Sequence, residues 1–423
     1  MTVTIEPWGD GDLPLLERMN TPEMTAHLGG PESAEDLERR QARYLRVADT
    51  GGRMFRIEVD GEPAGGIGYW ESDEDGIPVY EAGWSVVPEH QRVGVAGAAL
   101  RLLIAAVRRD GRRALLTAYP GVDNAASNAL CARAGFEVRG EGREPWRGGE
   151  LHFRIWALDL SPLDLTGRVA TVDERFDSDT LSPDRWWPFY TPHWSSRERT
   201  AARYEVGDGL LLRIDEDTPP WAPEWDGDVR VSHLQTGQVS GDVGTTEGQH
   251  RFRDGLVVRE AQPERRLWLP HFGVIEVRMS AVRHPDAMVA FWPIGVEDAP
   301  EESGEICIAE VFGSEIDDGG GWVGVGVKPQ NDPRLRDAFE RGWSFEKVWV
   351  DGDLTQPHDY AVEWTPERLR FFVDGRWVKT AAAAIDYPVQ LMLDLYELPD
   401  PSSPRDTDAL PHVMRVERVR TFG

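Results

Sequence analysis

Residues 304–310 read Gly304-Glu-Ile-Cys-Ile-Ala-Glu310, an apolar strand-forming run that carries two glutamates five positions apart. Side chains of a regular β-strand alternate between its faces, so this odd spacing sends Glu305 and Glu310 to opposite faces. One β-bulge between them would return both to one face, and bulges are frequent beside active sites. Retaining glycosidases use two carboxyl groups about 5–5.5 Å apart, one as nucleophile and one as acid/base. A bulged strand here would therefore provide a paired-carboxylate site.

The surroundings of this run predict an all-β sandwich over residues 172–423. Short alternating strands recur between Gly, Pro and Asp turns, and helical periodicity nearly disappears, which is typical of a sandwich. The predicted strands are Leu210–Ile214, Gly273–Ser280, Met288–Pro293, Glu305–Val311, Val323–Val327, Tyr360–Trp364, Leu369–Val373 and Gln390–Leu395.

Four stretches together resemble family 16 glycoside hydrolases of the laminarinase type, whose signature is Glu-Ile-Asp-Ile-x-Glu. They are residues 304–310, Phe272–Arg278, Ala290–Pro293 and His358–Gly375. The resemblance implies a jelly-roll, concanavalin-like sandwich with Glu305 as nucleophile and Glu310 as acid/base. It also implies that substrate is contacted by Trp292, Cys307 and His358.

The run departs from the family signature at Cys307, where relatives have an Asp beside the nucleophile. A neutral thiol removes negative charge from between the glutamates, which lowers the penalty for ionising Glu310 and weakens its tuning as an acid. Val323–Lys328 also stands where relatives often have a His-rich strand, and Asp394–Glu397 replaces a Gly-Gly-rich turn.

Residues 1–160 alternate strand and helix signals, which predicts an α/β fold with a mixed sheet and flanking helices. Within Trp84–Ala96 a strand runs into a loop and then a helix. Backbone N–H groups at a helix N-terminus form an anion site, and small residues let a phosphate approach the main chain. A second motif, Asn124–Phe136, follows about thirty residues later.

These paired motifs, Gln91-x-x-Gly94-x-Ala96 and Asn124-x-x-Ser127 followed by Gly135-Phe136, resemble the GNAT acetyltransferases. The resemblance implies acetyl-CoA as co-substrate and Glu81 as the base that takes the proton of an attacking amine. The acid for the leaving thiolate is unassigned, and Cys131 is expected to be structural. The residues expected to bind the cofactor are Val86, Gln91, Arg92, Val93, Gly94, Val95, Ala96, Asn124 and Ser127.

Composition limits the partners and the compartment. The net charge of −28 argues against nucleic-acid and membrane partners, since both require a basic surface. The two cysteines fall in different halves, so no disulfide and a reducing compartment are expected. The first residues show no signal peptide and no apolar run spans a bilayer, so we expect a cytoplasmic protein acting on a small-molecule or saccharide substrate. No metal is expected, and the oligomeric state is left open.

The sequence therefore predicts an acetyltransferase domain over residues 1–160, a linker over 161–171 and a sandwich over 172–423. The leading hypothesis is an N-acetyltransferase joined to a retaining β-glycosidase that acts on a glycan or amino-sugar substrate. The alternative hypothesis makes the sandwich a non-hydrolytic carbohydrate-binding or positioning module. A third, in which the sandwich only holds the transferase in an assembly, leaves the two glutamates without a role.

Overall fold

The computed structural model describes residues 1–74, 76–146, 149–382, 385–402 and 405–423. The chain divides into two compact units, Met1–Pro162 and Leu163–Gly423. The Leu163 N–H donates to Gly375 O at 2.8 Å, and Arg168 forms an ion pair with Glu363 at 2.8 Å. Residues 163–171 of the predicted linker 161–171 therefore lie in the second unit.

The first unit is a mixed sheet with flanking helices, as the α/β prediction requires. Its strands are β1 (Val3–Pro7), β2 (Arg53–Val59), β3 (Glu62–Glu74), β4 (Ile77–Val86), β5 (Leu115–Ala118), β6 (Glu137–Trp146) and β7 (Gly149–Asp159). Its helices are α1 (Leu13–Met19), α2 (Ala34–Leu45), α3 (Val95–Asp110) and α4 (Ala125–Arg133). The strand order is β1-β2-β3-β4-β5-β7-β6, and β4 and β5 run parallel while the other neighbours are antiparallel.

Helix α3 forms because its apolar residues repeat with helical spacing. Leu100, Leu103 and Val107 are fully buried, as expected for the apolar stripe of an amphipathic helix. The helix begins after Gly94 and ends at Gly111, both of which have left-handed backbone conformations. The N-terminus of α3 therefore follows the end of β4 after a short loop.

The second unit is a β-sandwich with three short helices in the described residues. Its strands are β8 (Ala170–Glu174), β9 (Arg203–Val206), β10 (Leu210–Ile214), β11 (Arg230–Gln235), β12 (Gly237–Gln238), β13 (Arg265–Arg266), β14 (Gly273–Met279), β15 (Ala287–Phe291), β16 (Ile294–Gly295), β17 (Glu305–Phe312), β18 (Gly320–Lys328), β19 (Phe345–Asp351), β20 (His358–Trp364), β21 (Leu369–Val373), β22 (Arg376–Ala381), β23 (Val389–Gln390), β24 (Met392–Glu397) and β25 (His412–Phe422). Its helices are α5 (Arg197–Thr200), α6 (Pro223–Asp226) and α7 (Pro333–Glu340).

Two antiparallel sheets make this sandwich. One has the order β22-β21-β20-β14-β25-β10-β9, with β8 added beside β25. The other has the order β11-β24-β15-β17-β16-β23, with β18 paired to β17 and β19 paired to β18. Alternate residues of both sheets, such as Val277 and Phe291, fill one core between them. This arrangement is the jelly-roll sandwich expected from the sequence.

The outer face of the second sheet carries a separate apolar cluster. Ala290 and Trp292 face this cluster, whereas Val289 and Phe291 face the main core. Tyr190 and Trp221, from the irregular segments around α5 and α6, pack against it. Part of this outer face is therefore covered by loops.

In the described ranges, every helix is too short or too polar to cross a lipid bilayer.

Candidate active sites

Strand β17 contains the bulge that its two glutamates require. Cys307 lies opposite Gly326 on β18, and the next paired residue, Glu310, lies opposite Gly324. Three steps along β17 thus match two along β18, which leaves one extra residue on β17. The bulge reverses the alternation of side chains and brings Glu305 and Glu310 to one face.

A single ammonium group contacts both carboxylates. Lys328 Nζ lies 3.1 Å from Glu305 Oε1 and 2.6 Å from Glu310 Oε2. Those two oxygens are therefore separated by at most about 5.7 Å, the sum of the two distances. Retaining glycosidases hold their carboxyl groups about 5–5.5 Å apart and inverting ones about 6.5–9.5 Å apart. The separation falls on the retaining side.

Glu305 is almost fully enclosed, with 4% of its surface exposed. Its second oxygen, Oε2, accepts a hydrogen bond of 2.5 Å from the Gln330 amide. Burial raises the pKa of Glu305 above its usual value, while the charge of Lys328 acts to lower it. The hydrogen bonds fix the orientation of this carboxylate, and the lysine favours its anionic form.

Cys307 lies between the two glutamates as a buried thiol. Its Sγ donates a weak hydrogen bond to Gly324 O at 3.5 Å, and burial raises its pKa well above the usual value. The thiol therefore stays neutral, and the site lacks a third carboxylate at this position.

Glycines on β18 make room for the site. A Cβ on Gly324 would lie 3.3 Å from Glu310 Cβ and 2.9 Å from Phe345 Cζ. A Cβ on Gly326 would lie 2.0 Å from Ser344 O, and its φ of 132° belongs to the region that favours glycine. The alternating glycines of Val323–Lys328 thus accommodate the bulge and the carboxylate.

Trp292 lies on the face that carries Glu310, because Ala290 is directly opposite Glu310 and shares a cluster with Trp292. Its Nε1 donates to Asp394 Oδ2 at 2.5 Å. The His250 ring packs against it with centroids 5.1 Å apart, and only 6% of the Trp292 surface is exposed. The indole is thus held in place and covered, and its contact with a sugar stays a prediction.

In the first unit, the loop between β4 and α3 exposes its backbone. Arg92 and Gly94 have φ values of 62° and 93°, and residues 91–94 are exposed. A Cβ on Gly94 would meet no atom within 4 Å. Gln91 Nε2 donates to Val86 O at 2.8 Å and ties the loop to the end of β4. The loop fits an anion cradle at a helix N-terminus, with open space where a phosphate would approach.

Strands β4 and β5 separate next to this loop. They pair only at Tyr80 with Leu116 and at Glu81 with Thr117, within the part of the chain that the structure describes. Beyond Glu81, the rest of β4 up to Val86 has no ladder partner on its β5 side among the described residues. Val86 ends this stretch and is tied to the loop by Gln91, and its contact with a pantetheine arm stays a prediction.

The families are now clear from the two matches along the chain. Residues 2–137 match the family described as acetyltransferase (GNAT) domain, and residues 268–396 match glycosyl hydrolases family 16. The chain carries a GNAT domain and a family 16 glycosyl hydrolase domain. No curated protein matches it in sequence.

Solved structures resemble each domain. A GlcNAcα1-4Gal-releasing endo-β-galactosidase from Clostridium perfringens is 27% identical with a TM-score of 0.51. That match covers 62% of this chain and 64% of the other, so this chain spans less than two thirds of that enzyme. A laminarinase from Flavobacterium sp. UMI-01 is 17% identical with a TM-score of 0.41, over 60% of this chain and 100% of that one.

The structure of an acetyl transferase from Salmonella typhimurium resembles the GNAT domain. That enzyme modifies an N-terminal serine of a 50S ribosomal subunit protein. It is 19% identical with a TM-score of 0.34, over 38% of this chain and 96% of the other.

Glu81 occupies the last position of β4 that pairs with β5 in the GNAT domain. Burial is the main reason why the pKa of its carboxyl is raised, and the carboxylates of Glu144 and Glu74 act in the same direction. A raised pKa brings a carboxylate closer to the working pH of a general base. The position and the acidity of Glu81 therefore suit the predicted role.

The second GNAT motif has a structural task. Asn124 caps α4, since its side chain accepts a hydrogen bond from Ser127 N at 3.1 Å. Cys131 is fully buried, and burial raises its pKa to about 12, which agrees with the expected structural thiol. Direct contact of Asn124 and Ser127 with a cofactor stays a prediction.

His358 is not brought to the carboxylates of the family 16 domain. It begins β20 in the opposite sheet, where Nδ1 bonds to Asp374 Oδ2 at 2.7 Å and Nε2 to Asp353 O at 3.2 Å. The consensus stretch His358–Gly375 reflects strand and turn geometry, because Asp374 also binds the Asp359 N–H at 3.0 Å. The substrate-binding role expected for His358 is therefore corrected to a structural one.

Sequence reasoning missed three residues of these sites. Lys328 and Gln330 hold Glu305, and no motif marks either of them. In the GNAT domain, the Tyr119 hydroxyl donates a hydrogen bond to Glu74, and burial raises its pKa. This phenol directly follows β5, and its raised pKa keeps it protonated. The available signal was its place in the mainly apolar run Ala114–Tyr119, which is typical of a β-strand.

Proposed function

We propose that the protein is bifunctional, with an acetyl-CoA-dependent N-acetyltransferase and a retaining β-glycosidase that act on amino-sugar-containing glycans. The observation that carries the hydrolase half is the pair Glu305 Oε1 and Glu310 Oε2, at most about 5.7 Å apart around Lys328. The cradle at Arg92–Gly94, open above the N-terminus of α3, carries the transferase half.

The substrate class of the hydrolase follows from the 27% identical endo-β-galactosidase, which releases GlcNAcα1-4Gal. We assign to this domain a β-galactoside that bears an N-acetylhexosamine. A transferase that acetylates an amine would then act on the same class of sugar. The common chemistry of the two domains is the N-acetylated amino sugar.

In hydrolysis, Glu305 attacks the anomeric carbon while Glu310 gives a proton to the departing glycosidic oxygen. A glycosyl ester on Glu305 forms, and the leaving sugar departs with its new hydroxyl. Glu310 then takes a proton from water, which attacks the same carbon and frees Glu305. Each step needs both carboxylates on one face of the sugar-binding strand.

In acetylation, bound acetyl-CoA supplies an activated thioester, and the family uses this cofactor. Backbone N–H groups of Arg92–Ala96 would hold its pyrophosphate, and β4 up to Val86 would bind its pantetheine arm. Glu81 accepts the proton of the attacking amine. Tyr119, which follows β5 and is still protonated, would supply a proton to the departing thiolate.

A hydrolysis screen tests the first half. Wild type should cleave β-galactosides, with terminal GlcNAcα1-4Gal glycans as the preferred members, and should cleave laminarin poorly. Glu305→Gln should lose at least about 1000-fold in kcat/KM, since it removes the nucleophile. Glu301→Gln, an exposed glutamate, is the matched control and should keep full activity. Equal rates in both variants would contradict the proposal.

Thermal unfolding with acetyl-CoA tests the second half. A ligand that binds only the folded state at 100 times its Kd stabilises by about 2.7 kcal/mol. Millimolar acetyl-CoA should therefore raise the Tm of the GNAT transition, and free thiol should be released when hexosamines are offered. Unchanged melting at that concentration would refute the cradle.

A second candidate function has one observation in its favour. Lys328 donates to Glu310 at 2.6 Å, and Cys307 replaces the family Asp, so the acid/base is held by a cation in the resting site. In a module that binds glycans without hydrolysing them, Glu310 would stay paired with Lys328 permanently. Saturable binding of the glycans without any turnover would decide for it.

A further inference from the structure

Both oxygens of the buried Glu305 carboxylate are held by the last residue of β18 and by a residue just after this strand. Lys328, the last residue of that strand, lies 3.1 Å from Oε1, and Gln330 donates to Oε2 at 2.5 Å. Gln330 has a φ of 45°, a left-handed conformation that costs a non-glycine residue free energy. We call Lys328 and Gln330 the carboxylate clamp.

Lys328 is enclosed on the other sides as well. It donates to Glu310 at 2.6 Å, lies 4.8 Å from the centroid of the Phe345 ring, and exposes 20% of its side chain. Burial alone would lower its pKa, but the charges of Glu305 and Glu310 outweigh burial and raise it. The ammonium is therefore charged at any working pH.

A buried nucleophile needs such a cation. Glu305 attacks only as an anion, and burial raises its pKa, so without a neighbouring charge it would tend to take up a proton. The neutral, fully buried Cys307 offers neither a charge nor a strong hydrogen bond to it. Lys328 is the cation within contact distance of Glu305 in the described residues.

We propose that Lys328 is a positioning residue that keeps the nucleophile Glu305 anionic and aimed, with Gln330 fixing the second oxygen. This inference rests on the proposed hydrolytic function, and it assigns to β18 a task that the thiol at position 307 cannot perform. The chain thus tunes its nucleophile from the neighbouring strand. The expected consequence is a pH profile whose acidic limb depends on Lys328.

The test uses the full-length protein and dinitrophenyl β-galactoside. Its phenolate leaves with the electron pair as Glu305 bonds to the anomeric carbon, so no proton from Glu310 is needed. In Lys328→Met, the acidic limb of the pH profile of kcat/KM should move to higher pH by at least about one unit. At a fixed low pH, kcat/KM should therefore fall about tenfold, with KM little changed. Lys328→Arg should retain most of the wild-type profile.

Lys347→Met is the matched control. Lys347 lies on β19 opposite Gly324 and forms its ion pair with Glu315. It should leave the profile unchanged. Melting curves check that each variant folds. If Lys328→Met shows the same profile as Lys347→Met, the inference is overturned.

A second readout is independent of catalysis. The sequence contains three lysines, Lys328, Lys347 and Lys379, so nitrogen-edited NMR can assign each ammonium group from single Lys→Met variants. The Lys328 signal should be protected from solvent exchange, and Glu305→Gln should shift it while leaving Lys347 in place. If the Lys328 signal does not change in Glu305→Gln, the inference about the carboxylate clamp is overturned even if the protein cleaves sugar. A responsive signal without any cleavage supports the clamp and refutes the proposed function instead.

Discussion

Glu305 and Glu310 lie on one face of β17 although five positions separate them, because one extra residue interrupts the ladder between Cys307 and Glu310. Their shared partner, Lys328, confirms the geometry, since one nitrogen touches an oxygen of each. The backbone irregularity, and not the residue types alone, therefore creates the carboxylate pair. The reactivity expected of each glutamate follows from its surroundings.

The acid role proposed for Glu310 is needed only when the leaving group requires a proton. Glu310→Ala should reduce cleavage of the natural glycan by about 100- to 10,000-fold, the usual contribution of a general acid. The first step with dinitrophenyl β-galactoside should be nearly unaffected, and azide should restore turnover by forming β-galactosyl azide. Steady-state and burst kinetics measure both effects, with Glu301→Ala as control. Equal losses on both substrates would remove Glu310 from this role.

Gly94 leaves open the space where the pyrophosphate would approach. Gly94→Ala adds a Cβ that meets no protein atom within 4 Å, so the change mainly obstructs the ligand. The KM for acetyl-CoA should rise about tenfold or more, since phosphate must contact the backbone there. Gly61→Ala is a matched control, because its φ of 89° and empty surroundings impose a similar strain elsewhere. Similar KM values in the two variants would contradict the cradle.

Gly326 is required by the strand opposite the bulge. Gly326→Ala would place Cβ 2.0 Å from Ser344 O, so β18 and β19 would have to separate. We expect a loss of about 2–4 kcal/mol in the free energy of unfolding of the sandwich. Gly352→Ala controls for strain alone, since φ is 110° but the nearest atom lies 3.5 Å from its Cβ. Chemical denaturation measures both, and equal stabilities would refute the crowding.

Glu297 makes the second unit less stable as pH rises. Burial raises its pKa to about 7, although it accepts a 2.6 Å hydrogen bond from the His250 N–H. The folded state thus binds the proton more tightly than the unfolded state, and this stability is lost as pH rises through about 7. Glu297→Gln should raise the Tm at about pH 8.5 and change it little at about pH 5. A Tm change of the same size at both pH values would contradict the shifted pKa.

Periodicity predicted the elements whose burial is one-sided and apolar. Leu210–Ile214 was predicted as a strand with the bounds of β10, and the helix predicted to begin within Trp84–Ala96 is α3. Helix α2 was not predicted, because only Leu37 and Gln41 are buried along it and they are too few to form a recognisable apolar stripe. Strand β25 was not predicted, because charged residues such as Arg418 and Arg420 interrupt its apolar positions. Both arginines form ion pairs with Glu276 on β14.

The sequence predicted the two glutamates of the carboxylate site, but not the side chains that contact them. The signature supplied Glu305 and Glu310, and the odd spacing required a bulge between them. Lys328 stands eighteen positions after Glu310, and its contact with both glutamates depends on the register that the bulge sets. Trp292 was predicted from its motif, but the loop that places His250 against it carries no strand or helix pattern. Long-range packing decided these features.

The most direct test of the retaining mechanism is to trap its intermediate. A β-galactoside with fluorine beside the anomeric carbon and dinitrophenolate as leaving group should form a stable ester. The fluorine slows both steps, and the good leaving group speeds only the first, so the ester accumulates. Peptide mass spectrometry should find one fluorogalactosyl group on Glu305, absent in Glu305→Gln and present in Glu301→Gln. Labelling at another residue, or hydrolysis of the glycan with no covalent adduct, would contradict the account.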